Sequence, residues 1–160
     1  MKERLLIMWL LACFYFSTTI SQAQDISGKH LVNQQNVALS GYDLVGYFEV
    51  NQAIEGSANY STQYKGVSYH FSNEQHLKYF QADPEHYLPK YGGYCSWAMG
   101  KNGTKVPSNP MTFKFVDGEL HFFFNGQYKR SPFNALEEWN KEEAYLKPMA
   151  DINWKLLHPN

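Results

Sequence analysis

Two stretches of the chain alternate between apolar and polar side chains on either side of a dipeptide that favours a tight turn. In the first stretch Val67, Tyr69 and Phe71 fall on one face, because successive side chains of a strand point to opposite sides. Glycine at the second turn position permits the positive φ angle that a two-residue hairpin turn requires. The pattern predicts two β-hairpins: strands at 60–64 and 67–71 around Lys65-Gly66, and strands at 111–116 and 119–124 around Asp117-Gly118.

Other segments carry strand or helix signals of their own. Ser72 followed by Gln75 has the form of a capping box and predicts a helix that ends before Asp83-Pro84. Ser131-Pro132 has the form of an N-cap with proline in the first helical position, and predicts a helix that Pro148 interrupts. The remaining predictions are a strand at 44–50, short helical turns at 84–88 and 95–99, and a loop at 100–110.

Hairpins with appended helices predict an α+β fold. We expect a small antiparallel sheet of two hairpins with short helices packed on it. Asp43 precedes the segment 44–50, where its side chain is expected to accept backbone N–H bonds at a turn.

The N-terminus has the layout of a secretory signal peptide. A charged head at 2–4 precedes an apolar run at 5–20, and Ser21-Gln22-Ala23 supplies small residues for cleavage after Ala23. The predicted organisation is a signal peptide at 1–23, an extended arm at 24–37 and a domain at 38–157, exported to a periplasm or secreted. The alternatives are an uncleaved membrane anchor, and a lipoprotein in which Leu10-Leu11-Ala12-Cys13 is a lipobox and Cys13 is lipidated.

Charge and cysteine content narrow the function classes. The formal net charge is −1. Cleavage of the predicted signal peptide removes Lys2, Glu3 and Arg4 and changes the net charge to −2. This balance gives no electrostatic footprint for nucleic acid. The mature chain keeps one cysteine, Cys95, so no internal disulfide stabilises it.

Several motifs together resemble the exported, single-cysteine branch of the YHS domain family. The resemblance covers roughly residues 38–156 and implies a small α+β domain and, as in better-known members, heavy-metal binding. The motifs are Ala38-Leu39-Ser40-Gly41-Tyr42-Asp43-Leu44-Val45-Gly46-Tyr47-Phe48, Tyr69-His70-Phe71-Ser72 with Asp83-Pro84-Glu85-His86-Tyr87, and Tyr91-Gly92-Gly93-Tyr94-Cys95.

The metal-binding cysteines of those family members have only one potential counterpart here. YHS modules attached to copper and silver transport ATPases carry a cysteine before the sheet and a Cys-x3-Cys pair at the helix start. Here Val45 stands at the earlier position, and Ser72 and His76 replace the pair. The resemblance therefore implies His76 as the one matching position that keeps a ligand side chain.

Cys95 is the second candidate ligand. A helix that begins near Tyr94 would place Cys95 in its first turn, where backbone N–H groups favour a thiolate. Met99 lies four residues later, on the same helical face. A site formed by Cys95, His76 and Met99 would suit a soft or transition metal of the copper or zinc class. The alternative is that Cys95 and Met99 are packed as apolar core residues.

Three aromatic residues flank Cys95 in the sequence, Tyr91, Tyr94 and Trp97. They are expected either to form a pocket wall or to wedge the helix against the sheet. No phosphate-binding loop, nucleophile elbow or paired catalytic carboxylates occur, so the sequence favours binding over catalysis. Three functions remain open: an exported metal-handling protein, thiol-based redox or sulfur chemistry at Cys95, and a non-catalytic module that binds a small ligand or a partner.

Overall fold

The structure, a computed structural model, describes residues 28–159. It confirms the α+β class, with six strands and five α-helices in the described part of the chain. The predictions for the signal peptide and for Cys13 lie outside the described residues. The elements are α1 (Leu44–Val50), β1 (Ser57–Tyr64), β2 (Val67–Phe71), α2 (Glu74–Ala82), α3 (Pro84–Tyr87), α4 (Ser96–Asn102), β3 (Asn109–Val116), β4 (Glu119–Phe123), β5 (Asn125–Tyr128), β6 (Ser131–Asn134) and α5 (Ala135–Leu157).

The strands form three antiparallel two-stranded sheets: β1 with β2, β3 with β4, and β5 with β6. The two predicted hairpins are confirmed, with Tyr64 paired to Val67 and Val116 paired to Glu119 across their turns. They are separate ribbons and do not join into the single sheet that the sequence predicted. The third hairpin was not predicted.

The prediction that Ser131-Pro132 starts a helix was wrong. These residues lie in β6, and α5 begins at Ala135 with Asn134 as its N-cap, whose side chain accepts a bond from Leu136 N. Lys129 and Arg130 both have positive φ angles and form the two-residue turn between β5 and β6. Pro132 is tolerated because a strand in a two-stranded ribbon has a free edge.

The segment 44–50 is also helical, where a strand was predicted. Asp43 caps α1 by accepting bonds from Val45 N and Gly46 N, which confirms the expectation for its side chain. Asn51 ends the helix in the left-handed conformation, with φ at 52°. The cap and the burial of the first helical turn outweigh the β propensity of the segment.

Three helix boundaries also differ from the predictions. The cap of α2 is Asn73, one residue after the predicted Ser72, and α4 continues to Asn102 into the predicted loop. Pro148 lies inside α5 and does not end it; the backbone leaves helical geometry at Glu142 instead. The carbonyl that Pro148 displaces is that of Ala144, two residues after Glu142, so the proline alone does not account for the distortion at Glu142.

The described part of the N-terminal arm is held against the motif at 91–95. Leu31 N donates to Gly92 O at 2.8 Å, and Tyr94 Oη donates to His30 O at 3.2 Å. Gly92 has a φ of +61°, and a Cβ added there would lie 1.7 Å from Lys29 O. Glycine is therefore required at position 92 for the arm to pass.

Buried side chains form three clusters. The first joins α1, β2, α2 and β4 and contains Tyr47, Phe71 and Phe80. The second contains Cys95, Phe123 and Trp139, and the third contains Tyr91, Met99 and Ala150. Within residues 28–159 no helix has the length and apolar content needed to span a bilayer.

Candidate functional site

Cys95 is fixed at the start of α4 by backbone contacts on two sides. Its N–H donates to Val106 O at 2.9 Å, and it bridges to Phe122 of β4. The residue is 0% exposed. Burial raises the pKa of the Cys95 thiol, and this effect is only partly offset by the backbone N–H groups of Phe124, Ala98 and Trp97. The thiol is therefore protonated at neutral pH.

A cavity of about 300 Å³ lies directly beside Cys95. We call it the Cys95 cavity. Its walls are mostly apolar and aromatic, with the rings of Trp97 and Phe133 5.1 Å apart and those of Phe124 and Phe133 6.4 Å apart. The residues that line it are Cys95, Trp97, Ala98, Lys101, Asn102, Thr104, Val106, Phe124, Tyr128 and Phe133.

The cavity is built from three parts of the chain. Helix α4 supplies one wall, the loop after it supplies Val106, and the unpredicted β5–β6 hairpin supplies Tyr128 and Phe133. The hairpin is attached to the rest of the domain at its base, where Ala135 N donates to Phe124 O at 2.9 Å. The site is therefore an opening between a helix and a hairpin.

Met99 does not line this cavity. It is 0% exposed and packs in the third cluster with Tyr91 and Ala150, whereas Cys95 belongs to the second. Its carbonyl accepts a bond from Asn153 Nδ2 at 2.8 Å. The packing is that of a core methionine.

His76 lies in α2 and is held by a buried carboxylate. Its Nδ1 is 2.6 Å from Oδ2 of Asp43, which is 0% exposed. The hydroxyl of Ser72 donates to the same Oδ2 at 2.7 Å. A carboxylate only accepts, so Nδ1 of His76 is the donor in this contact.

The three predicted metal ligands thus have three different surroundings: the Cys95 cavity, the third cluster, and the carboxylate of Asp43. Among residues 28–159, no group of three or more His, Cys, Asp or Glu side chains is placed to hold a metal ion. The predicted ligand set remains a prediction, but the contacts described here do not bring its members together.

Of the three predicted pocket residues, only Trp97 lines the Cys95 cavity. Tyr91 Oη donates to Asp151 at 3.0 Å, and its ring lies edge-on to His121 at 5.5 Å. Burial, together with the charge of Asp151, raises the pKa of Tyr91. The hydroxyl of Tyr94 binds the N-terminal arm. Tyr91 thus connects the 91–95 segment to α5, and Tyr94 connects it to the arm.

Sequence reasoning missed the pairing of His121 with Ser96. Both side chains are 0% exposed, and His121 Nδ1 lies 3.0 Å from the Ser96 hydroxyl. Nε2 of His121 is buried without a hydrogen-bond partner in the described structure. Burial lowers the pKa of His121 to about 4. Alternation gave no signal for this pairing, because residues 120–123 of β4 are buried on both faces.

Comparison of the chain with known family models, with curated proteins and with solved structures finds no match.

Proposed function

We propose that this protein is an exported, YHS-like domain that binds a small apolar ligand in the Cys95 cavity without transforming it. The observation that carries the proposal is the cavity of about 300 Å³ walled by Trp97, Phe124 and Phe133. Ligand sites are concave, mostly apolar, and start at about 300 Å³. The assignments to export and to the family rest on the signal-like N-terminus and on the motifs around Asp43 and Cys95.

The size and the apolar walls of the cavity favour an apolar ligand. Water needs two to four polar partners to occupy a cavity, and cavities with apolar walls stay dry and bind apolar molecules. The polar residues Lys101, Asn102 and Thr104 are all exposed, so they lie toward the solvent side of the opening. The rings of Trp97, Phe124 and Phe133 supply most of the inner wall.

Cys95 fits a wall residue better than a nucleophile. Reactive cysteines have a depressed pKa and partial exposure, whereas Cys95 is fully buried and its pKa is raised. A neutral thiol is a small, polarisable apolar group. We therefore assign it to the packed layer behind the cavity wall, with no bond-forming step.

The test is to fill the cavity and measure the binding of a neutral aromatic probe. The probe is 2-naphthalenemethanol, titrated into the mature chain by calorimetry. Val106→Trp extends a wall residue into the opening, and its backbone bond to Cys95 N does not depend on the side chain. We expect the wild type to bind the probe and Val106→Trp to lose at least about tenfold in affinity, ~1.4 kcal/mol.

The matched control is Val50→Trp. Val50 is 49% exposed at the end of α1 and does not line the Cys95 cavity. This variant should bind the probe as the wild type does. Failure of the wild-type protein to bind, or equal loss in both variants, would contradict the proposal.

A metal at His76 is the second candidate function, and one observation favours it. Histidines that bind metals almost always donate their other ring N–H to a carboxylate or carbonyl, as Nδ1 of His76 does to Asp43. Titration with Zn(II) and Cu(I) tests it against His76→Gln, with His70→Gln as the control. Sub-micromolar binding that is lost only in His76→Gln would support a metal site at His76. Loss of binding in Cys95→Ser would instead indicate that Cys95 is a metal ligand. Absence of sub-micromolar binding to the wild type would contradict both sites.

A further inference from the structure

Basic residues occur on the helix and on the hairpin that form the Cys95 cavity. Lys101 is the one charged residue among those that line it. Tyr128, another lining residue, has the ammonium of Lys129 5.3 Å from the centre of its ring, and Arg130 follows in the same turn. Lys101 therefore lies at the helix side of the cavity, and Lys129 lies beside one of its hairpin residues, Tyr128.

The charges on the hairpin have no counter-charge. Residues 125–134 contain Lys129 and Arg130 and no acidic residue, whereas the mature chain as a whole is slightly acidic. Neither cation forms an ion pair with any residue in the described range 28–159. Lys101 is different, because it is paired with Glu142 at 2.9 Å. The hairpin thus supplies the uncompensated positive potential.

We propose that the ligand of the Cys95 cavity is an amphipathic anion, with an apolar body about the size of one or two rings and a carboxylate-type group at the rim. This inference rests on the proposed function and adds the chemical class of the ligand. The apolar body would lie against Trp97 and Phe133. The anionic group would remain in water beside Lys129 and Arg130, where it keeps its hydration and gains the attraction of the two cations.

The charge arrangement selects against the other ligand classes. A cationic ligand of the same shape would be repelled by the two hairpin residues, Lys129 and Arg130. A neutral ligand would gain only the apolar contacts. An exposed pair of opposite charges contributes up to about 1 kcal/mol, so two cations predict a preference for the anion of about tenfold, which is ~1.4 kcal/mol.

The test compares two probes that share a ring system and differ in charge. Calorimetry at low ionic strength would measure 2-naphthoate against 2-naphthalenemethanol with the mature wild-type chain. We expect the anion to bind about tenfold more tightly. The difference should shrink as salt is added, because the screening length falls to about 10 Å at 0.1 M.

A double variant, Lys129→Asn with Arg130→Gly, removes both hairpin charges without straining the turn. Both positions have positive φ angles, 49° and 67°, which Asn and Gly adopt more readily than Lys and Arg. We expect the preference for the anion to fall to about twofold, while affinity for the neutral probe is unchanged. Lys141→Gln is the control, because Lys141 is an exposed cation of α5 that does not line the cavity.

Each outcome separates this inference from the proposed function. Equal affinities of the two probes for the wild type would overturn the anion preference and leave the apolar cavity in place. A tenfold preference that survives in the double variant would overturn the role of the hairpin cations. Binding of neither probe would overturn the proposed function itself, and the inference with it.

Discussion

Nδ1 of His76 lies 2.6 Å from Oδ2 of Asp43, although the two residues are 33 positions apart in the chain. The carboxylate is completely buried and accepts five hydrogen bonds, from Val45 N, Gly46 N, Ser72 N, the Ser72 hydroxyl and His76. These bonds join the start of α1 to the end of β2 and the first turn of α2. Asp43 is thus the polar link between three elements of the first cluster.

Asp43→Asn should be strongly destabilising. The amide can accept at one oxygen only, so its NH₂ group would face donors that now bind Oδ1 or Oδ2. Leaving buried donors unpaired costs about 1–3 kcal/mol per group, and we expect a loss of about 3 kcal/mol in the free energy of unfolding, measured by urea denaturation. Asp117→Asn is the control, since the Asp117 side chain is 76% exposed in a turn that also suits Asn-Gly. Losses of similar size in both variants would contradict the role given to Asp43.

Gly92→Ala should release the N-terminal arm. The added methyl group would lie 1.7 Å from Lys29 O, and the backbone there is in the left-handed region. We expect a loss of about 3 kcal/mol and faster hydrogen exchange at the Leu31 amide, which now donates to Gly92 O.

The control for the arm is Gly118→Ala, in the β3–β4 turn. Its φ is +80°, but no atom lies within 4 Å of the added Cβ. Gly118→Ala therefore measures the cost of the backbone strain alone, without a steric clash. We expect that cost to be about 1 kcal/mol of unfolding free energy. If Gly92→Ala costs no more than Gly118→Ala, the arm does not depend on the close approach.

Sequence reasoning succeeded where the determinants are local. The turns at Lys65-Gly66 and Asp117-Gly118 were predictable because the dipeptide itself sets the backbone geometry. The strand predicted at 44–50 was wrong because the helix depends on Asp43 and on burial against distant residues. The turn at Lys129-Arg130 lacks the glycine that marks the other two hairpins. The hairpin formed by β5 and β6 was therefore not predicted from the sequence.

The candidate site was predictable only in part, because the cavity is assembled from non-local contacts. Cys95 and Trp97 were identified from their own motif. Phe124, Phe133 and Val106 reach the cavity through the third hairpin and the loop after α4, and nothing in their local sequence indicates a shared site. The predicted ligand set combined residues of α2 and α4 that pack in different clusters.

His121 should make the protein sensitive to mild acid. Its pKa is about 4 in the folded state against 6.5 for the free side chain. Between these values the unfolded chain binds the proton and the folded chain does not, so stability falls as pH decreases from 6.5 to 4. The full effect is about 3 kcal/mol. The charged groups that act on His121 are Glu119, Lys90, Lys147 and Asp151.

The test for His121 is the slope of unfolding free energy against pH. His121→Gln keeps a hydrogen-bonding partner for Ser96 and removes the titrating group. We expect its slope between pH 6.5 and 4 to be smaller than that of the wild type, whatever its absolute stability. His86→Gln is the control because His86 is exposed, and it should keep the wild-type slope. A wild-type slope in His121→Gln would contradict the assignment.

Cys95 should react with iodoacetamide only when the domain opens. The thiol is 0% exposed and its pKa is raised, so both access and the thiolate fraction are low. We expect alkylation of the folded chain at pH 7 to be at least about 100-fold slower than in urea, ~2.7 kcal/mol of opening. Saturating 2-naphthalenemethanol should slow it further, since the ligand binds the closed form. If the folded protein is alkylated as fast as the unfolded chain, Cys95 is instead a reactive nucleophile. If the probe leaves the alkylation rate unchanged, the ligand does not bind in the Cys95 cavity.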